Sequence, residues 1–228
     1  MVSGGLNAFE IFNVNNHPSI LYYESGSKYL QLGLDMQMAG IVVSSIQHFQ
    51  SLSTCRRNTG GVMYQYGISR FPEYDRSMYL RRMTTLSNNA KLFTTLFAAS
   101  TYLTRRINLS YPSNWSQLGW HHGGGVVTIS MKEQHLNDRT LLEQFIGNLL
   151  QRCRENNIPM TKGVSYGFST TRVSATSMAD DMPPYLRFSI GEENTTQIQI
   201  MTDAVIRSLC DFLKSHDLAN KAGKFLLA

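Results

Sequence analysis

Two short stretches of this sequence carry residues that can do chemistry. The first is Ser25-Gly26-Ser27-Lys28-Tyr29. Two hydroxyls and the backbone N–H groups of a tight small-residue turn can hold a phosphate. A lysine beside a bound phosphate serves as its counter-ion or attacks an aldehyde on the same ligand. Read locally, a surface turn with a solvated lysine is the simpler account. The second stretch is Tyr185-Leu186-Arg187-Phe188-Ser189-Ile190-Gly191. An arginine inside an otherwise apolar strand is expensive to bury unpaired. Arg187 therefore either reaches solvent or grips an anion with both arms of its fork. The local sequence leaves both options open.

Other combinations carry less. His121 and His122 are adjacent, and adjacent strand positions point to opposite faces, so no shared metal ion is expected. Asp180-Asp181 reads as a solvated loop. Cys55 lies beside Arg56, but no histidine accompanies it and it is read as structural. The three cysteines, Cys55, Cys153 and Cys210, are odd in number and widely spaced, without a CxxC. They fit a reducing compartment and no disulfide framework.

The elements that must position these residues follow from periodicity. Ile20-Leu21-Tyr22-Tyr23 is a short β-type run leading into the lysine turn. Gly40 to Ile46 is rich in β-branched residues and reads as a second strand. Tyr79, Met83, Leu86, Ala90, Phe93 and Phe97 recur every three or four residues and predict one face of a long helix between about 74 and 103. Val127, Ile129 and Met131 alternate with Thr128 and Ser130 as in a half-buried strand. Leu141 to Leu150 gives a second helix, ending near Asn156-Asn157. Residues 1–20 and 163–184 read as irregular. Leu186, Phe188 and Ile190 alternate with Arg187 and Ser189, which puts the arginine on the polar face of a strand. Asn194 or Thr195 caps a last helix carrying Ile198, Met201, Val205, Leu209 and Phe212. Strands alternating with helices predict an α/β or α+β fold, with a boundary near residue 104.

Composition sets outer bounds. The chain has 228 residues, 42% of them hydrophobic and 11% aromatic, enough for a real core and too apolar for a disordered tail. Charged residues are only 16%, against about 25% in ordinary soluble domains. Low charge accords with a large protein–protein contact, and equally with a neutral surface of Ser, Thr, Asn and Gln. The formal net charge is +5, but Lys and Arg are scattered, so no nucleic-acid footprint is expected. The N-terminal residues have no basic stretch followed by an apolar core, so no secretory signal is expected, and no apolar run approaches the ~20 residues that span a bilayer. A cytoplasmic protein is expected.

The ordered set of motifs resembles the C-terminal half of the pyridoxal-phosphate (PLP) enzymes of cysteine and methionine metabolism, the fold-type-I cystathionine synthases and lyases and methionine γ-lyase. The resemblance rests on Ser25-Gly26-Ser27-Lys28-Tyr29, Arg82-Met83 with Asn89-Ala90, and Gly124-Gly125. It continues through Ser165-Tyr166-Gly167, Ala175-Thr176-Ser177-Met178 and Leu186-Arg187-Phe188-Ser189-Ile190-Gly191-Glu192. It implies an α/β fold. Residues 1–103 would be the trailing part of the PLP-binding large domain, and 104–228 a small α+β domain. Lys28 would carry the cofactor aldehyde as a Schiff base and later move protons. Ser25 and Ser27 would hold the cofactor phosphate. Arg187, with Ser165 nearby, would bind the substrate α-carboxylate.

The departures are as informative as the matches. The family's glycine-rich phosphate loop, ring-stacking aromatic and pyridine-nitrogen aspartate lie upstream of the lysine. Here only 27 residues precede Lys28. The aspartate would fall near Ser3, and the first acid is Glu10. Gln31-Leu32-Gly33-Leu34 replaces the family's Gly-His, and Leu86 replaces a helix histidine. The resemblance thus implies a split, hetero-oligomeric enzyme in which a second polypeptide supplies the N-terminal half. The chain begins with Met1, and a genuine small subunit is expected. The reaction would be β/γ-elimination or replacement on an amino acid, often of a sulfur group. The other reading is a non-catalytic subunit that keeps the fold and stabilises or regulates a full-length relative.

Overall fold

The computed structural model describes residues 2–3, 21–28, 31–34, 37–69, 75–112, 123–165 and 168–226. Tyr29, His121, His122, Tyr166 and Gly167 lie outside this set. Two sheets organise the chain. The first contains β1 (Val2–Ser3), β2 (Tyr22–Ser25) and β3 (Gly40–Val43), with β1 parallel and β3 antiparallel to the central β2. After β3 a short 3-10 turn at Ile46–His48 leads into α1 (Phe49–Asn58), followed by α2 (Gln65–Ile68) and the long α3 (Arg76–Ala98). The expected strand to Ile46 therefore ends at Val43.

α3 forms because one face is apolar and its start is capped. The Asp75 carboxylate accepts from the Ser77 N–H at 2.8 Å, a standard N-cap. All six residues of the stripe read from periodicity are buried. They divide between two clusters. Tyr79, Met83 and Leu86 pack together near the helix start, while Ala90, Phe93 and Phe97 enter the main core. Phe93 packs on Phe188 with ring centroids 5.3 Å apart. The helix therefore packs directly on the strand that carries Arg187.

A short α4 (Thr101–Arg106) leads to the second sheet. It comprises β4 (Ile107–Ser110), β5 (Val126–Met131), β6 (Thr161–Lys162), β7 (Arg172–Thr176) and β8 (Tyr185–Ser189), in spatial order β4-β5-β8-β7-β6. All pairings are antiparallel except β6 with β7. α5 (Arg139–Glu155) and α6 (Thr195–Leu226) close one face of this sheet. Asn194 starts α6 through a reciprocal box. Its Oδ1 accepts the Gln197 N–H at 2.9 Å, and Gln197 Oε1 accepts the Asn194 N–H at 3.0 Å.

β7 corrects the expectation of an irregular 163–184 segment. Only Val173 and Ala175 of this strand face the core, and Arg172, Ser174 and Thr176 occupy the opposite face. Its apolar signal is too thin to read, and pairing with β8 supplies the rest. β4 and α1 were also not anticipated; α1 buries no residue, so it has no apolar stripe to announce it.

Candidate active site

The lysine turn is built at the end of β2. The Ser25 and Ser27 hydroxyls are 2.9 Å apart. One must donate to the other, and on meeting an anion both can turn outward. Gly26 between them gives its N–H to the Ala39 carbonyl at 2.8 Å. A Cβ at Gly26 would stand 3.1 Å from the Ala39 Cβ, so glycine lets the turn lie against that neighbour. Lys28 is half-buried, and its carbonyl accepts the Gly33 N–H at 2.9 Å.

Gln31, one of the departures from the family pattern, holds this turn closed. It is fully buried. Its Nε2 donates to the carbonyls of Gly26 and Gln37 at 2.9 and 2.5 Å, and its Oε1 accepts the Gln37 N–H at 2.9 Å. The chain around Gln31 is bent hard: Leu32 and Gly33 have φ of 52° and 75°. For leucine the left-handed region is costly, so the buried amide has a strained loop to hold.

Glu24 immediately precedes the turn and is 6% exposed. The Tyr22 hydroxyl donates to one of its oxygens, and the other has no partner. Burial pushes its carboxyl up to about 7, and the Tyr22 hydrogen bond opposes that rise only in part.

Arg187 lies in the centre of the five-stranded sheet. Leu186 and Phe188 point into the core, so Arg187 points from the opposite face. Across the ladder it stands opposite Thr128 on β5 and Ser174 on β7. It is half-buried, and its Nε is buried without a hydrogen-bond partner. None of the residues in β5, β7 and β8 is acidic. Beside it, a groove of about 390 Å³ opens over the same face, lined by Thr128, Ser130 and Tyr185 together with Gln134, Pro183 and Met178.

The turn that follows β8 is tied to α3. Asn89 Nδ2 donates to the carbonyls of Gly191 and Glu193 at 2.9 and 2.8 Å. Arg82, itself buried, pairs with Glu192 and donates to Ser169 Oγ at 3.3 Å. The buried Glu193 carboxylate accepts the Thr171 N–H at 2.5 Å and its hydroxyl at 2.9 Å, and Thr171 Oγ1 accepts the Gly191 N–H at 2.9 Å. The Arg82-Met83 and Asn89-Ala90 motifs carried no role in the sequence reading. Here they fasten the arginine strand to the helix. Glu193 was missed and Gln31 was noted only as a departure, because their partners lie in loops no periodicity marks.

The sequence-derived residues thus fall into two groups. Ser25, Ser27 and Lys28 share one turn of the three-stranded sheet. Arg187 stands on the five-stranded sheet, and Ser165 is half-buried in the loop between β6 and β7. The two adjacent hydroxyls fit the phosphate end of the cofactor that the resemblance implies. The orphaned guanidinium nitrogen fits a carboxylate. Among the described residues no group of three or more His, Cys, Asp or Glu could hold a metal, and no helix is long and apolar enough to cross a membrane.

No protein-family model matches the chain. Over 211 residues, 92% of this chain, it is 36% identical to the bifunctional enzyme flvA of Aspergillus flavus, and the match spans 25% of that protein. A cystathionine gamma synthase from Xanthomonas oryzae pv. oryzae, solved in complex with aminoacrylate and cysteine, superposes with a TM-score of 0.58 at 16% identity. That likeness covers 83% of this chain and 50% of the other. An apo methionine gamma lyase from Micromonospora echinospora gives a TM-score of 0.57 at 18% identity, covering 83% and 48%. The chain thus spans a quarter of the curated relative it matches and about half the length of the two solved proteins.

Proposed function

We propose that this chain, which has the fold of the C-terminal half of the cystathionine synthases and methionine γ-lyases, is the lysine-bearing part of a PLP-dependent lyase or transferase acting on an amino acid. The observation that carries this reading is Arg187. An arginine held in mid-sheet, with a buried Nε unpartnered and no acid on the strands around it, is arranged to receive an anion from outside the chain.

Bound PLP supplies an electron sink for the charge that develops at the substrate Cα. This chain's residues do the rest. The Ser25 and Ser27 hydroxyls donate to the phosphate. Lys28 Nζ takes the proton from Cα and returns a proton on the leaving side. Arg187 would fix the α-carboxylate, with Ser165 assisting, and so orient the substrate. The reaction is elimination or replacement at the β or γ carbon, at a C–S or similar bond. Residues 1–103 contribute the lysine side and 104–228 the arginine side.

The remaining elements of the cofactor site come from a second polypeptide in a hetero-oligomer. Support comes from the segment between β3 and α3, where large apolar side chains are exposed, among them Ile46, Phe49, Val62, Tyr64, Tyr66 and Ile68. A groove of about 710 Å³ between β3 and α1 lies in this segment. Concentrated exposed apolar surface marks an interaction site.

The test is Lys28→Ala in the natively purified assembly. The proposal expects turnover of the amino-acid substrate to vanish while the assembly persists. Unchanged turnover would make this chain a non-catalytic subunit.

A further inference from the structure

α1 presents a face that the described residues leave open. Phe49, Leu52, Ser53 and Arg56 recur at the three- and four-residue spacing of one helix face. All four line the groove of about 710 Å³ between α1 and β3. Yet α1 buries no residue, and Phe49 is 62% exposed. A helix of 10 residues is marginal without packing on its apolar face. The facing wall of the groove is apolar as well, with Ile41 and Val43 half-buried and Ile46 exposed.

Ser45 adds a polar requirement. It lines the same groove, is 4% exposed, and its hydroxyl has no hydrogen-bond partner. A buried hydroxyl is normally satisfied, so the occupant must bring a polar group as well as apolar surface.

Charge selects the occupant. From Met36 to Pro72 the sequence contains no Asp or Glu, while Arg56 and Arg57 stand in the last turn of α1. Both are exposed, and neither is ion-paired with a described residue. A second copy docked through the same face would set these arginines against their own counterparts. A segment carrying carboxylates meets them instead.

We propose that this groove receives an acidic amphipathic segment of the second polypeptide. Its apolar side chains cover Phe49 and Ile46, a polar group reaches Ser45, and its carboxylates pair with Arg56 and Arg57. This rests on the reading of the chain as one part of a split assembly, which accords with its spanning about half the length of the two solved proteins.

The experiment uses Cys55, which is exposed and lines the groove. The natively purified assembly is labelled with benzophenone maleimide and irradiated, and the peptide joined through Cys55 is mapped. The proposal expects an Asp- or Glu-bearing peptide of the polypeptide that turnover requires. Arg56→Glu combined with Arg57→Glu should weaken association of the two chains about tenfold in low salt, with the loss shrinking in high salt. Phe49→Ser should weaken it at any salt. These residues are exposed on a helix that buries nothing, so the variants keep the core, and a thermal melt verifies that. Arg154→Glu, exposed on α5, should leave association unchanged. A join from Cys55 to a second copy of this chain, to another segment of the same chain, or to no protein would overturn the proposal. So would an equal loss from Arg154→Glu. If turnover requires no second polypeptide, the split-assembly reading itself fails. If one is required but binds the α1 variants undiminished, the groove assignment alone fails.

Discussion

Asn89 on α3 donates to the carbonyls of both Gly191 and Glu193, at 2.9 and 2.8 Å, and so joins the long helix to the turn that leaves the Arg187 strand. The side chain is buried, and the two carbonyls it serves lie 102 and 104 residues away in sequence. Arg82 repeats the connection two turns earlier by pairing with Glu192. The strand that carries Arg187 is therefore held from behind by α3.

Asn89→Ala leaves the two carbonyls without their donor. Loss of two buried hydrogen bonds of this kind costs about 2–4 kcal/mol. In a chain of this size that lowers Tm by roughly 5–12 °C. A thermal melt checks it. A shift under about 1 °C would show that the tie is not structural.

Gly191 is fixed by close approach. A Cβ there would fall 2.2 Å from the Ser169 carbonyl oxygen and 2.7 Å from its carbon. Both are backbone atoms, and the neighbouring Thr171–Glu193 hydrogen bonds hold that backbone in place. Gly191→Ala should destabilise by about 3 kcal/mol or more. Gly147, inside α5 with open space around its missing Cβ, is the control. Gly147→Ala should stabilise by about 0.5–1 kcal/mol. Denaturant midpoints of the two variants should move in opposite directions.

Glu24 gives the lysine turn a pH dependence. Its carboxyl is raised from 4.5 to about 7 in the folded chain. The folded state therefore keeps a proton that the unfolded state releases. The resulting contribution to stability is fully present below pH 4.5, declines as pH rises, and is lost above about 7. Glu24→Gln removes it. The stability difference between variant and wild type should therefore grow in favour of the variant between these two pH values and then level off. A difference that is flat with pH would mean that Glu24 ionises freely.

Much of the architecture was legible where a strong apolar pattern met a single face. The α3 stripe, the alternation of β5 and β8, and the Asn194 start of α6 all have this form. β7 was not legible, because two core residues among serines and threonines look like a loop until β8 pairs with them. The site divides in the same way. The lysine turn and Arg187 announce themselves through residue type and local spacing. Gln31, Asn89 and Glu193 do not, since each acts through the packing or long-range hydrogen bonds that folding alone creates.

The account stands most directly on Lys28. Borohydride reduction of the natively purified assembly, followed by peptide mapping, fixes a cofactor to whichever lysine carries it. The account predicts a phosphopyridoxyl adduct on the peptide containing Lys28, together with a co-purifying polypeptide that supplies the upstream half. A cofactor-loaded assembly with no adduct on Lys28 would contradict it.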